Sequence, residues 1–240
     1  MNTPAANLPR LLSRRLAFTL VEMLVVLAII GILAALLLPV IVHAKDRAIR
    51  SIDIGNLKQI ITATHFYAAD NADFLPWSNW GVPLDRPGWL YKTLAADSGA
   101  NRFKAETGLF WPVLLNEKLY WCPQDKPAHP MFKYRAQQSS SYVMNGAVNG
   151  YHRERYPCLR LAQFEPEDVI FWETDEQEPG FFNDGASRPD EGVSARHDAG
   201  ALCAAFAGAV QYVKFTDWYH DAMSTNKTRL WCYPEAVNGR

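Results

Sequence analysis

The sequence predicts an α+β protein. One long N-terminal helix, membrane-embedded in its first half, packs on a small antiparallel sheet with long loops. Three observations predict this. Residues 18–42 read FTLVEMLVVLAIIGILAALLLPVIV, a run that is apolar almost throughout. Ile49, Ile52, Leu57, Ile60, Ile61, Thr64 and Tyr67 then recur at three-to-four-residue steps, the period of an amphipathic helix. Downstream, short runs at 141–147, 168–173, 201–206 and 209–215 are rich in β-formers and bounded by Gly, Pro and Asp.

In chain order, the apolar run comes first. As a helix, its 25 residues span about 37 Å at ~1.5 Å per residue, enough to cross a bilayer. It is too long for the 7–15-residue core of a secretory signal, and no small-residue cut site closes it. Arg10, Arg14 and Arg15 precede it, so the positive-inside rule puts the leader in the cytoplasm and the body outside. Gly31 and Pro39 interrupt the run, and Pro39 removes a backbone donor, so the two mark a kink. The amphipathic stripe continues the helix to about residue 69, giving a spine of about 75 Å. Arg47, Arg50, Asp53, Lys58 and Gln59 lie largely off the stripe, and Asp70-Asn71-Ala72-Asp73 starts a turn.

The body changes character. Residues 76–90 hold Trp77, Trp80 and Trp89 among Pro and Gly, which reads as an aromatic loop region. Residues 107–120 read as a short helix interrupted by Pro112. Ala207-Gly208 separates the last two strand runs as a two-residue hairpin turn. The net charge is -1, and no basic excess points to nucleic acid. Cys122, Cys158, Cys203 and Cys232 show no zinc-site spacing, and in an oxidising compartment they allow three full disulfide pairings.

Glu22 is the residue that most needs a partner. A carboxylate in a membrane helix costs about 2.5–3.5 kcal/mol at the helix centre and less near its end. Taken alone, it favours the positive helix N-terminus. In the body, His197 stands beside Arg196, Asp198 and Asp190, and a His–Asp pair can do acid–base work. No nucleophile motif accompanies it, so the simpler role is a His that fastens the loop before the hairpin. Glu173, Asp175, Glu176 and Asp184 form an oxygen-rich run of the kind that holds Ca²⁺, though not at EF-hand spacing, and charge runs are usually solvated. No other cofactor is expected.

The basic leader, Ala17, Phe18, Thr19-Leu20-Val21-Glu22, the apolar run and Pro39 together resemble the prepilin-type cleavage and methylation motif of type IV pilins and type II secretion pseudopilins. Where that family usually has Gly before the cut, this chain has Ala17. The resemblance implies cleavage between Ala17 and Phe18 by a prepilin peptidase and N-methylation of Phe18. It also implies assembly through the helix, with Glu22 meeting the new ammonium of its own or a neighbouring subunit. The body is similar to a narrower group with a C-terminal His-x9-Asp-Gly motif. The parallels are Asn56-Leu57-Lys58-Gln59-Ile60, Tyr67-Ala68-Ala69-Asp70-Asn71, Cys122-Pro123, Ser141-Tyr142-Val143-Met144-Asn145 and Arg196-His197-Asp198, with Ala207-Gly208 in place of Asp-Gly.

The resulting expectation is a cleaved leader at 1–17, a transmembrane helix at 18–42, its amphipathic continuation at 43–70 and an extracytoplasmic pilin-like domain at 71–240. Its partners would be other pilin-like subunits, the prepilin peptidase, an inner-membrane assembly platform and the membrane, with no nucleic acid. The function would be structural, in a protein secretion or pilus-like machine. The alternatives are an anchored binding protein that does not polymerise, and an anchored enzyme using His197.

Overall fold

The structure is a computed structural model, describing residues 19–80, 86–92, 102–151 and 155–240; at 42 and 43 it describes only the helical backbone. The leader, Ala17 and Phe18 lie outside the described residues. The chain forms two compact units, Met1–Asp46 and Arg47–Arg240. It is α+β: a 51-residue helix, α1 (Leu20–Asp70), and a five-stranded, mostly antiparallel sheet.

In the first unit, the stretch of α1 from Leu20 to Ile41 is apolar and exposed along its length. It is long and apolar enough to cross a membrane. The helix is assigned without a break through Gly31 and Pro39.

In the second unit, α1 presents Leu57, Ile60, Ile61 and Ala63 to the core. Two stripe assignments change here. Ile52 is exposed, and Asp53, which falls off the apolar stripe by hydrophobicity, is fully buried. Asp53, Leu57, Ile60, Ile61 and Thr64 follow each other at helical spacing, so one face carries them all. The 107–120 stretch is not one helix broken at Pro112. Pro112 sits in the first turn of a four-residue helix, α2 (Trp111–Leu114), where its missing N–H is harmless, and Leu115 at φ 50° ends it.

The strands are β1 (Tyr142–Asn145), β2 (Val169–Glu173), β3 (Ala186–Ser187), β4 (Gly200–Ala205) and β5 (Val210–Lys214), in the order β3-β1-β2-β4-β5. Only β3 runs parallel to its neighbour, β1. Tyr142 pairs across from Glu173, Val143 from Trp172 and Trp172 from Cys203. The two-residue period sends Met144, Phe171, Leu202 and Ala204 into the core that holds α1's apolar face. It sends Val143, Trp172, Ala201, Cys203 and Val213 to the other side, under a short helix, α3 (Phe215–Ala222). Trp218 of α3 lies 5.3 Å, centroid to centroid, from Trp172. Both faces are therefore covered, which is why β1, β2 and β4 are buried at every position instead of alternating.

The β4–β5 hairpin differs from the two-residue turn expected from Ala207-Gly208. The Ala205 N–H donates to Ala209 O at 2.8 Å, and the Gly208 N–H donates to Ala205 O at 2.9 Å. The loop is thus three residues, 206–208, with Gly208 in the left-handed region at φ 91°. His65 of α1 holds this loop through Nε2 to Phe206 O at 2.7 Å. A Cβ on Gly208 would meet only His65 Cε1 at an ordinary 3.7 Å, so any penalty there comes from the backbone. Gly208→Ala should therefore destabilise the protein by about 1–2 kcal/mol, read as a lower urea midpoint at unchanged slope.

Candidate functional site

Two places concentrate the chemistry-bearing residues. The first is the start of α1. The Thr19 N–H and hydroxyl both donate to Glu22 Oε2, at 2.8 and 2.7 Å, and the Glu22 N–H is 3.2 Å from Thr19 Oγ1. Thr19-x-x-Glu22 is a capping box, in which two otherwise unpaired helix donors are satisfied reciprocally. Glu22 thus gives α1 a defined start immediately after Phe18.

The second lies on the α1 side of the sheet and gathers four distant segments. Asp53 comes from α1 and Cys122 from the loop after the turn at Glu117–Tyr120. Glu173 ends β2, and His197 sits in the turn before β4. All four are buried. His197 Nε2 lies 2.7 Å from Asp53 Oδ2, 3.3 Å from Glu173 Oε1 and 3.6 Å from Cys122 Sγ. The far oxygen of each carboxylate is tied back: Tyr142 OH donates to Asp53 Oδ1, and the Leu202 N–H donates to Glu173 Oε2 at 2.8 Å. The His197 carbonyl accepts from Tyr212 OH at 3.1 Å.

A charged layer adjoins this group. Arg135 grips Asp125 with both guanidinium ends, at 2.8 and 3.0 Å, and stacks over Phe182 at 3.7 Å. Ser141 Oγ donates to the same carboxylate at 2.8 Å. Arg196 reaches Asp125 at 3.2 Å, Glu173 at 3.5 Å and Glu176 at 3.6 Å.

The electrostatics follow from burial opposed by pairing. Burial would pull the His197 imidazolium down, but its hydrogen bond to Asp53 and its close pairing with the Glu173 carboxylate outweigh that and push its pKa up to about 9. Burial would raise Glu173, but His197 and Arg196 hold it at about 2. Burial and the Glu173 charge raise Asp53 above the usual carboxylate range. Burial and the same two carboxylates push the Cys122 thiol up. Burial would raise Asp125, but Arg196 and Arg135 keep it below its ordinary value.

Several sequence expectations are rearranged. His197 partners Asp53 and Glu173, not its neighbours Asp198 and Asp190. The acidic run is not gathered into a calcium cage. Glu173 belongs to the buried group, and Glu176 accepts from Ser194 Oγ at 2.8 Å. Asp175 accepts from the Gln177 N–H at 2.9 Å, and Asp184 from the Ala186 N–H at 2.8 Å. The four cysteines are free buried thiols, not disulfides. The spacing of 53, 122, 173 and 197 hid the buried group from the sequence; the one local signal was Asp53 in phase with Leu57 and Ile60.

The prokaryotic N-terminal methylation motif matches residues 12–38, which include Ala17, Phe18, Glu22 and Gly31. The chain is 43% identical over 54 residues to the type II secretion system core protein G of Pseudomonas aeruginosa. That stretch is 22% of this chain and spans 38% of the relative's length. No solved structure matches the chain. Motif and relative together mark the N-terminal segment as pilin-like, similar to that of a type II secretion pseudopilin.

Proposed function

We propose that this chain is a pilin-like structural subunit, cut between Ala17 and Phe18 by a prepilin peptidase, N-methylated at Phe18 and assembled with other pilin-like subunits through α1. The methylation motif over residues 12–38 carries this reading. The exposed, membrane-length apolar stretch behind it supports anchoring in the inner membrane, with the leader cytoplasmic and the body outside. The platform that extracts and stacks such subunits is the implied partner. In the assembled state the apolar stretch trades lipid for neighbouring helices. Glu22 holds its own helix start through Oε2, leaving Oε1 to meet the ammonium of Phe18 on its own or a neighbouring subunit. That pairing neutralises two charges in an apolar surrounding and sets the axial register. His197 is buried with its Nε2 engaged by Asp53, which supports the structural reading.

Mass spectrometry of the purified protein should find a chain beginning at methylated Phe18; a chain beginning at Met1, or after residue 42, overturns the reading. Glu22→Gln keeps the capacity to cap the helix and removes the charge. Both Glu22→Gln and Glu22→Ala should abolish subunit cross-links while leaving the protein in the membrane. Cross-linking and secretion unchanged in both variants would remove the assembly role of Glu22.

A further inference from the structure

We propose that Asp53, Cys122, Glu173 and His197 form a structural binding site for a divalent transition metal of the zinc class. The four ligand atoms lie within 4.8 Å of one another and are the one such group among the described residues. A single nitrogen, His197 Nε2, faces two carboxylate oxygens and a sulfur within 3.6 Å. One ring nitrogen offers one proton or one lone pair, so it cannot satisfy both carboxylate oxygens, and the thiol beside it is only a weak donor. Glu173 Oε1 shows the deficit: it is fully buried and meets no hydrogen-bond donor at bonding geometry among the described residues. A cation at the centre removes the conflict, because all four atoms then point their lone pairs at one acceptor.

Two of the three distances from His197 fit the chemistry. Bonds of about 2.0–2.3 Å around a tetrahedral zinc place ligand atoms roughly 3.3–3.6 Å apart. The pairs His197–Glu173, at 3.3 Å, and His197–Cys122, at 3.6 Å, already stand there. His197 and Asp53, at 2.7 Å, need to part by about 0.6 Å. One sulfur, one imidazole and two carboxylates suit zinc and not calcium, which takes six or more oxygens. Tyr142 and the Leu202 N–H hold the far carboxylate oxygens and so aim the near ones, as partners of metal ligands do. With the thiolate formed, the ligands carry three negative charges; the ion cancels two, and Arg196 lies 3.5 Å from Glu173 beside the remainder. The site has four protein ligands from four segments, which makes it a clasp between α1, the sheet and two loops. A surface groove lined by Ile52, Asn56, Trp121, Cys122, Pro123 and Asp125 reaches the Cys122 end and gives the ion a way in.

The test uses the full-length protein in detergent micelles, stripped with a strong chelator and then given Co²⁺ or Zn²⁺. One equivalent of Co²⁺ should produce intense tetrahedral visible bands and a near-ultraviolet thiolate charge-transfer band. One equivalent of Zn²⁺ should remain bound through gel filtration and raise the unfolding midpoint. Cys122→Ser should erase the charge-transfer band, and Glu173→Gln, nearly the same shape, should weaken Co²⁺ binding at least tenfold. The wild-type spectrum and Glu173→Gln decide the matter if Cys122→Ser does not fold. A weak octahedral cobalt spectrum, zinc lost on filtration, a charge-transfer band that survives Cys122→Ser, or unchanged affinity in Glu173→Gln each overturns the site.

Discussion

Asp125→Ala should destabilise the body by about 3–5 kcal/mol, because it strands the buried Arg135 and takes one of three carboxylates from Arg196. The Arg135 side chain is fully buried and pairs with this carboxylate, and that of Arg196 is 5% exposed and shares it with Glu173 and Glu176. An exposed ion pair contributes at most about 1 kcal/mol, since water solvates whatever is left behind. Here water is excluded, so the cost is that of an uncompensated buried charge. Arg135 already leaves its Nε without an acceptor, whereas Arg196 keeps Glu173, Glu176 and the Ser141 and Thr174 carbonyls, so Arg135 carries most of the loss. The variants separate pairing from packing. Asp125→Asn keeps an acceptor for Ser141 and one arginine bond and should fall between the parent and Asp125→Ala. The double change Asp125→Leu with Arg135→Met removes charge from both partners and should recover part of the loss. Urea unfolding followed by far-ultraviolet circular dichroism reads all three. A loss below about 1 kcal/mol for Asp125→Ala would show that the arginines find other anions and that Asp125 does not anchor them.

The parts of this molecule that were legible in the sequence are those governed by local periodicity. The apolar run and the stripe through Leu57, Ile60 and Ile61 mark α1, and its end at Asp70 lies within a residue of the expected stop. Runs of β-formers mark β1, β2, β4 and β5 to within two residues. β3 was not legible, because Ala186-Ser187 is a two-residue element stabilised only by β1 beside it. α3 was hidden because Trp218 and Ala222 give its eight residues only one buried pair. The buried polar group was the least legible. Sequence reasoning sorts residues by hydrophobicity, so Asp53 falls on the solvent side of a helix that in fact buries it. Its partners stand 69, 120 and 144 positions away, and the packing of α1 and two loops against the end of β2 brings them together. His197 is conspicuous in the sequence, but its partners are Asp53 and Glu173 from other elements, not the neighbouring aspartates. The Gly208 motif position has a local account, since a three-residue hairpin loop needs a left-handed residue.

Trp89→Ala should be the most damaging single truncation of the hydrophobic core, at about 3–5 kcal/mol. Trp89 is fully buried, with Phe171 of β2 at 5.0 Å, Phe110 at 5.9 Å and Tyr120 at 6.1 Å between ring centroids. Its indole N–H donates to Gly185 O at 2.8 Å, just before β3. Its backbone N–H donates to Trp77 O at 2.8 Å. One side chain therefore ties the aromatic loop to the middle of the sheet and to its β3 edge. Removing the ring leaves a cavity walled by other rings, whose flat faces cannot collapse into it, and takes one of two donors from Gly185 O, which keeps the Met144 N–H at 2.9 Å. The total stability of such a domain is about 5–15 kcal/mol, so the loss is a large share of it. Trp89→Phe refills most of the volume and loses only the hydrogen bond, so it should cost about 1–2 kcal/mol. The expected order of urea midpoints is parent, Trp89→Phe, Trp89→Ala, with a wide gap before the last. Equal losses in the two variants would assign the anchoring to the Gly185 bond and not to the ring. A loss below about 1 kcal/mol in Trp89→Ala would mean that the loop around it contributes little to the fold.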